Sequence, residues 1–135
     1  MSKKIALAAL AAWVSLTVVG FVLFGSFMKV FEKEMAGAGD CVNMDAPVGL
    51  ILLANLMLAL LLAVVFVRWA NVRTFLGGVT SGIIIVLLVM VWFDIWMFAN
   101  FHFMTLTLGF LDIALNTING TLAAGVAGWV LGKVK

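Results

Sequence analysis

The sequence predicts an all-α fold, a polytopic membrane protein whose single transmembrane domain, residues 1–135, is a four-helix bundle. The first observation behind this is composition: 66% of the residues are hydrophobic and 10% are charged, with a mean hydropathy of +1.29. A soluble domain carries about a quarter charged residues and under half apolar ones, so a soluble globule of this length could not hide so much apolar surface. The second is four apolar runs of bilayer length, since a hydrocarbon core about 30 Å thick takes roughly 20 residues of helix. The third is the pairing of 13 Gly with a single Pro, which suits helices whose backbones approach closely in lipid.

The first span, about 5–28, follows Lys3 and Lys4 and starts like a signal peptide. Its apolar run is longer than a signal core and no small-residue cleavage site closes it, so it is expected to be retained. Lys29 to Pro47 is the one long connection, and Asp45 followed by Pro47 is a start signal for the second span, about 48–67. Arg68 to Thr74 leads to the third span, about 75–99, and Asn100 to Met104 to the fourth, about 105–131. Connections this short make those neighbours antiparallel hairpins.

Lys3, Lys4, Arg68, Arg73, Lys133 and Lys135 fall on one side of this topology. On the other, Lys29 and Lys33 are offset by Glu32, Glu34, Asp40 and Asp45. The positive-inside rule then places the N-terminus and the C-terminus in the cytoplasm. The net charge of +2 therefore reads as a topology signal, with no basic patch for nucleic acid. Trp13, Trp69 and Trp129 fall toward the cytoplasmic ends and Trp92 and Trp96 toward the outer end, positions that suit interfacial anchoring for some of them.

An ionisable group in hydrocarbon costs about 2.5–3.5 kcal/mol on insertion scales and so faces protein or water. Two acidic residues lie inside the spans, Asp94 and Asp112, roughly 10 and 12 Å below the outer helix ends at about 1.5 Å per residue. Asn55 comes out at a similar depth, and Asn116 and Asn119 continue the Asp112 face one and two turns deeper. These five residues are expected to form a polar cluster in the outer half of the bundle. Two carboxylates held together in low dielectric repel as anions and would take up a proton, a small cation or an amine. The alternative is interhelical glue, with Asp and Asn hydrogen-bonding between helices at about 0.6–2 kcal/mol per contact.

Gly120, Ala124, Gly128 and Gly132 recur every fourth residue in the last span, and Gly78 and Gly82 form a shorter counterpart in the third. Both read as close helix-packing ridges in the cytoplasmic half, able to meet within the hairpin. At about 100° per residue Gly78 projects nearly opposite to Asp94. The third span is therefore expected to be contacted on two sides, as the central helix of the monomer or with a second subunit over one face.

His102, in the outer turn, is expected to hydrogen-bond a helix end; with no second His and no attachment motif, a haem ligand is disfavoured. Asp40, Asn43 and Asp45 lack the alternation, glycine and terminal Glu of a calcium loop. Asn119-Gly120-Thr121 matches a glycosylation sequon but lies inside a span. Cys41 is the sole cysteine, so no intrachain disulfide can form, and Ala38-Gly39-Asp40 before it lacks the apolar residues that precede a lipidated bacterial cysteine. The chain carries no P-loop, dinucleotide fingerprint, nucleophile elbow or paired-His motif, which argues against an enzyme.

Arg68-Trp69-Ala70, then Thr74-Phe75-Leu76-Gly77-Gly78, Asp112, and the ending Gly128-Trp129-Val130-Leu131-Gly132-Lys133 give the chain a resemblance. Over most of its length it resembles a group of uncharacterised bacterial four-span small integral membrane proteins, which have no established activity. The resemblance implies membrane topology and bacterial origin. Small multidrug exporters and fluoride channels share the size and span count. The exporters' hallmark is a Glu in the first span, where this chain has no acidic residue, and the fluoride channels' pattern of polar and Phe residues is not matched.

The expected function is that of a non-enzymatic accessory or scaffold subunit of the inner (cytoplasmic) membrane. It would pack through its glycine ridges against copies of itself, as a homo-oligomer, or against a larger membrane complex. No cofactor, metal or nucleic acid is expected, and the lipid bilayer is its surroundings. The alternative is a small proton- or cation-coupled transporter or channel using Asp94 and Asp112.

Overall fold

A computed structural model of the chain describes residues 2–42 and 47–134; Asn43, Asp45 and Lys135 lie outside the described residues. It is all-helical, with five α-helices among the described residues: α1 (Lys3–Ser26), α2 (Met28–Met35), α3 (Val48–Val65), α4 (Phe75–Asn100) and α5 (Leu106–Lys133). α1, α4, α5 and the stretch Val48–Ala70 are long and apolar enough to cross a membrane.

Hydroxyl side chains start three of these helices. The side chains of Ser2, Thr74 and Thr105 accept from the backbone N–H groups of Ile5, Gly77 and Leu108 at 3.4, 3.0 and 3.1 Å, each satisfying a donor that the first turn leaves without a partner. α3 runs into a π-turn, Phe66–Ala70, and stops at Asn71, whose φ of 46° is left-handed. Asn tolerates that conformation better than most residues. Val72 N–H then donates to the Phe66 carbonyl at 3.2 Å, turning the chain into α4.

The long connection is more structured than a loop. Phe27 breaks α1 and the short helix α2 follows, then a 3-10 segment, Ala36–Cys41. Phe31 of α2 stacks on Phe24 of α1 with ring centroids 5.6 Å apart. Phe27, Met28 and Val30 stay exposed beside Glu32 and Lys33. This is an amphipathic turn across one end of the bundle. That end, with the 101–105 turn, is called the loop end below. The opposite, terminal end holds Ser2, the 66–74 connection and Val134, and gathers Lys3, Lys4, Arg68, Arg73 and Lys133.

α5 is the central helix. It packs most extensively against α4, then against α1, while α3 sits mainly on α1. Three columns of small residues make this possible. Gly120, Ala124 and Gly128 meet α4. Asn119, Ala123 and Ala127, one residue earlier and about 100° round the helix, are buried on the side where Asn119 meets Leu16 of α1. On α1, Ile5, Ala8, Ala9, Ala12 and Leu16 form the buried stripe, joined in the core by Ala59, Leu62, Ala63 and Phe66 from the α3 stretch. Trp13 pins α1 to α3 by donating its indole N–H to the Leu52 carbonyl at 2.8 Å. Trp69, Trp92, Trp96 and Trp129 are exposed.

The expectation that the third span is the central helix of the monomer is corrected. α5 is the one extensive neighbour of α4, yet Gly78, Gly82, Val86 and Asp94 are all buried. A stripe of residues spaced by four drifts about 40° around the helix at each step, hence about 160° from Gly78 to Asp94. Gly78, Gly82 and Val86 of this stripe meet Ala124 and Gly120 of α5 directly, in the spacing by which i±4 ridges pack.

Candidate functional site

The α4–α5 register can be followed from the glycines outward. A Cβ at Gly78 would strike the Ala124 carbonyl, one at Gly82 the Ala124 side chain, one at Gly128 the Thr74 carbonyl and one at Gly132 the Arg73 carbonyl. All six ridge residues are thus engaged inside the monomer. A Cβ at Gly120 would lie 2.7 Å from Val86. Two further steps of four residues along each helix place Asp94 level with Asp112.

Asp94 is 3% exposed, and neither carboxylate oxygen has a hydrogen-bond partner among the described residues. Beside it the helices part around a cavity of about 300 Å³ lined by Val91, Ile95, Phe98, Thr105, Leu106, Gly109, Phe110 and Ile113. The lining is almost wholly apolar, leaving the carboxylate as its charged feature. Asp112 is half-buried, with the Asn116 side chain one turn along within reach.

Thr105 joins this cavity to the loop end. Its hydroxyl accepts from Leu108 N–H and donates to Glu34 Oε2 of α2 at 2.7 Å. It also lines a second, larger pocket of about 530 Å³, together with Glu34, Cys41, Asn100, Phe101, His102 and Phe103. Thr105 thus lines both pockets and is bonded to the surface helix through Glu34. His102 is exposed and makes no side-chain hydrogen bond among the described residues, in place of the expected bond to a helix end. Glu34, Cys41 and His102 share the pocket without converging; no three His, Cys, Asp or Glu side chains among the described residues are placed to hold a metal.

The amides go elsewhere. Asn55, Asn116 and Asn119 line a third cavity of about 380 Å³, between α1, α3 and α5, with Thr17 and Gly20. The five polar residues expected as one cluster are therefore divided by α5. Asp94 and Asp112 lie toward α4, Asn55 and Asn119 toward α1 and α3, and Asn116 touches both groups. The 100° between successive residues of α5 separates the two faces, and depth along the axis, which the residues do share, says nothing about direction.

No family model, curated protein or solved structure matches this chain. Its chemistry is read from its own geometry. Reasoning on the sequence missed Thr17, Gly20, Glu34 and Thr105. Thr105 had a signal, a hydroxyl immediately before an apolar helix. Glu34 had one in the charged and apolar alternation of 28–35. Gly20 had none, because its role depends on Asn119, 99 positions further along the chain.

Proposed function

We propose that the chain is a non-enzymatic protein of the inner (cytoplasmic) membrane, with both termini inside, whose working part is the Asp94–Asp112 pair, binding a proton or a small cation in the course of transport. The observation that carries this reading is the buried Asp94 with both oxygens free among the described residues. An unpaired carboxylate surrounded by hydrocarbon must be neutralised by a proton or a bound cation. Interhelical glue would instead spend those oxygens on donors from a neighbouring helix. Thr105, which lines the same cavity, is hydrogen-bonded to Glu34 at the loop end, and Asn116 stands one turn along α5 from Asp112.

Flux in proteoliposomes tests it. The Asp94→Asn and Asp112→Asn variants, alone and together, should keep the fold and lose proton- or cation-dependent flux by about 100-fold or more, as expected when a binding carboxylate worth several kcal/mol is removed. Flux that survives in the double variant would remove the proposal.

A second reading, the accessory subunit, is favoured by α4. With α5 as its one extensive neighbour, α4 leaves Trp92 and Trp96 exposed outside the Asp94 cavity. A partner or a second copy would dock there and not on the glycine ridges, which are occupied within the chain. Purification in a mild detergent that yields only monomer, with no companion subunit, would count against this reading.

A further inference from the structure

Lys3, Lys4, Arg68, Arg73 and Lys133 gather at the terminal end of the bundle, and no acidic side chain among the described residues lies there. Glu32, Glu34 and Asp40 stand at the loop end, and Asp94 and Asp112 lie in the half of α4 and α5 that leads to it. Like charges on one surface repel each other and draw counter-charge. The excess at the terminal end is therefore met from outside the chain.

The α4–α5 clamp places two of these cations beside each other. A Cβ at Gly132 would strike the Arg73 carbonyl, so Lys133, the next residue, emerges next to Arg73. Both side chains are exposed. Arg73 Nε donates to Asn71 Oδ1 at 3.1 Å, which steadies the guanidinium fork while its two terminal nitrogens carry the remaining donors. One turn away from the end, the surface becomes apolar. Trp129 precedes Lys133 by four residues on the same face of α5, and the Phe75 ring lies over Gly125, a turn further, where a Cβ would come 2.7 Å from it. Trp129 and Phe75 are 55% and 46% exposed.

Cations at the ends of the spans with exposed aromatic rings beneath them match a molecule that is anionic at its head and hydrocarbon below. A soluble acidic partner would meet the cations alone and leave the rings uncovered. Anionic lipid attracts each Lys or Arg held near the membrane surface, and indole rings favour the headgroup level.

We propose that Arg73 and Lys133 form a headgroup site for an anionic phospholipid, whose phosphate accepts hydrogen bonds from the guanidinium and ammonium groups while an acyl chain runs over Trp129 and Phe75. The planar Arg fork suits phosphate because it offers parallel donors. The carboxylate pair lies in the other half of the bundle, so the site is independent of it.

Native mass spectrometry of the full chain, released from micelles holding equal amounts of dioleoyl phosphatidylglycerol and dioleoyl phosphatidylcholine, tests the assignment. The wild-type protein should retain the anionic lipid about thirtyfold over the zwitterionic one. Arg73→Gln and Lys133→Gln should each cut that preference by about fivefold, and together by about thirtyfold. Lys29→Gln with Lys33→Gln removes as many charges from the loop end, where Glu32 and Glu34 stand beside them, and should leave the preference unchanged. Inorganic phosphate in large excess should not displace the lipid, and a phosphatidylglycerol with a diazirine near the glycerol end of its acyl chain should crosslink to Trp129 and Phe75. Equal retention of the two lipids, as a patch made for an acidic protein would give, would overturn the proposal. So would a preference that survives the double Arg73 and Lys133 variant, an equal loss in the Lys29 and Lys33 variant, displacement by inorganic phosphate, or crosslinks confined to the loop end.

Discussion

At the terminal end of the bundle α4 and α5 touch backbone to backbone, with Gly78 on the Ala124 carbonyl and Gly128 on the Thr74 carbonyl. At the loop end the same two helices part around Asp94 and a cavity of about 300 Å³. One stripe of residues, spaced by four on each helix, runs through both regions, and only its composition changes, from glycine and alanine through Val86 to the two aspartates. The close-packed half sets the register, and the register brings Asp94 level with Asp112. Small residues at one end are thus what allows an unpartnered carboxylate to be held in place at the other.

The largest effect expected from breaking this contrast is at the clamp. Gly78→Ala places a methyl group against the Ala124 backbone, which cannot move aside as a side chain can. Overpacking of this kind costs about 1–3 kcal/mol. Gly25→Ala meets nothing within 4 Å and should be neutral or slightly stabilising, since alanine is the better helix former by about 1 kcal/mol. Unfolding in mixed micelles with rising dodecyl sulfate would measure both. Equal stabilities for the two variants would mean that the α4–α5 approach does not determine the fold.

The span count and the glycine ridges were legible in the sequence because both are local: a hydropathy run and a four-residue spacing survive without knowledge of any neighbour. Which helix sits centrally was not. Gly78 and Asp94 differ by about 160° on a straight helix, yet both are buried. The sites were half legible for the same reason. Asp94, Asp112, Asn55, Asn116 and Asn119 stood out as polar residues in apolar spans, but their division between two faces depends on α1 choosing α5 as its partner, a contact between Leu16 and Asn119 that is remote in sequence. The helix α2 was hidden in the long connection because its eight residues give barely two turns of pattern, too few for periodicity to distinguish from loop.

A second and intermediate effect concerns the open half. If Asp94 is kept for chemistry and not for the fold, Asp94→Leu should stabilise the protein, because it replaces an unpartnered buried polar group, worth about 1–3 kcal/mol in desolvation, by one that the apolar cavity accepts. The same variant should abolish flux. Stability that falls instead would show that the carboxylate holds α4 and α5 together through a partner supplied by lipid or water, and would transfer Asp94 to the structural half of the comparison.

The smallest effect belongs to the α1–α3 seam, which is neither clamped by glycine nor opened by charge. Trp13 crosses it, donating to the Leu52 carbonyl at 2.8 Å. That carbonyl lies inside α3 and already accepts within its own helix, so the indole bond is a shared one. Trp13→Phe keeps the aromatic body and removes the donor alone. Interhelical hydrogen bonds in membranes average about 0.6 kcal/mol, and a loss of that size is expected in the same micellar unfolding measurement. A loss of 2 kcal/mol or more, roughly the upper end for such bonds, would mean that the indole also fills space which phenylalanine leaves empty, and that α3, which touches α5 far less than α1 and α4 do, depends on this one side chain for its position over the amide cavity.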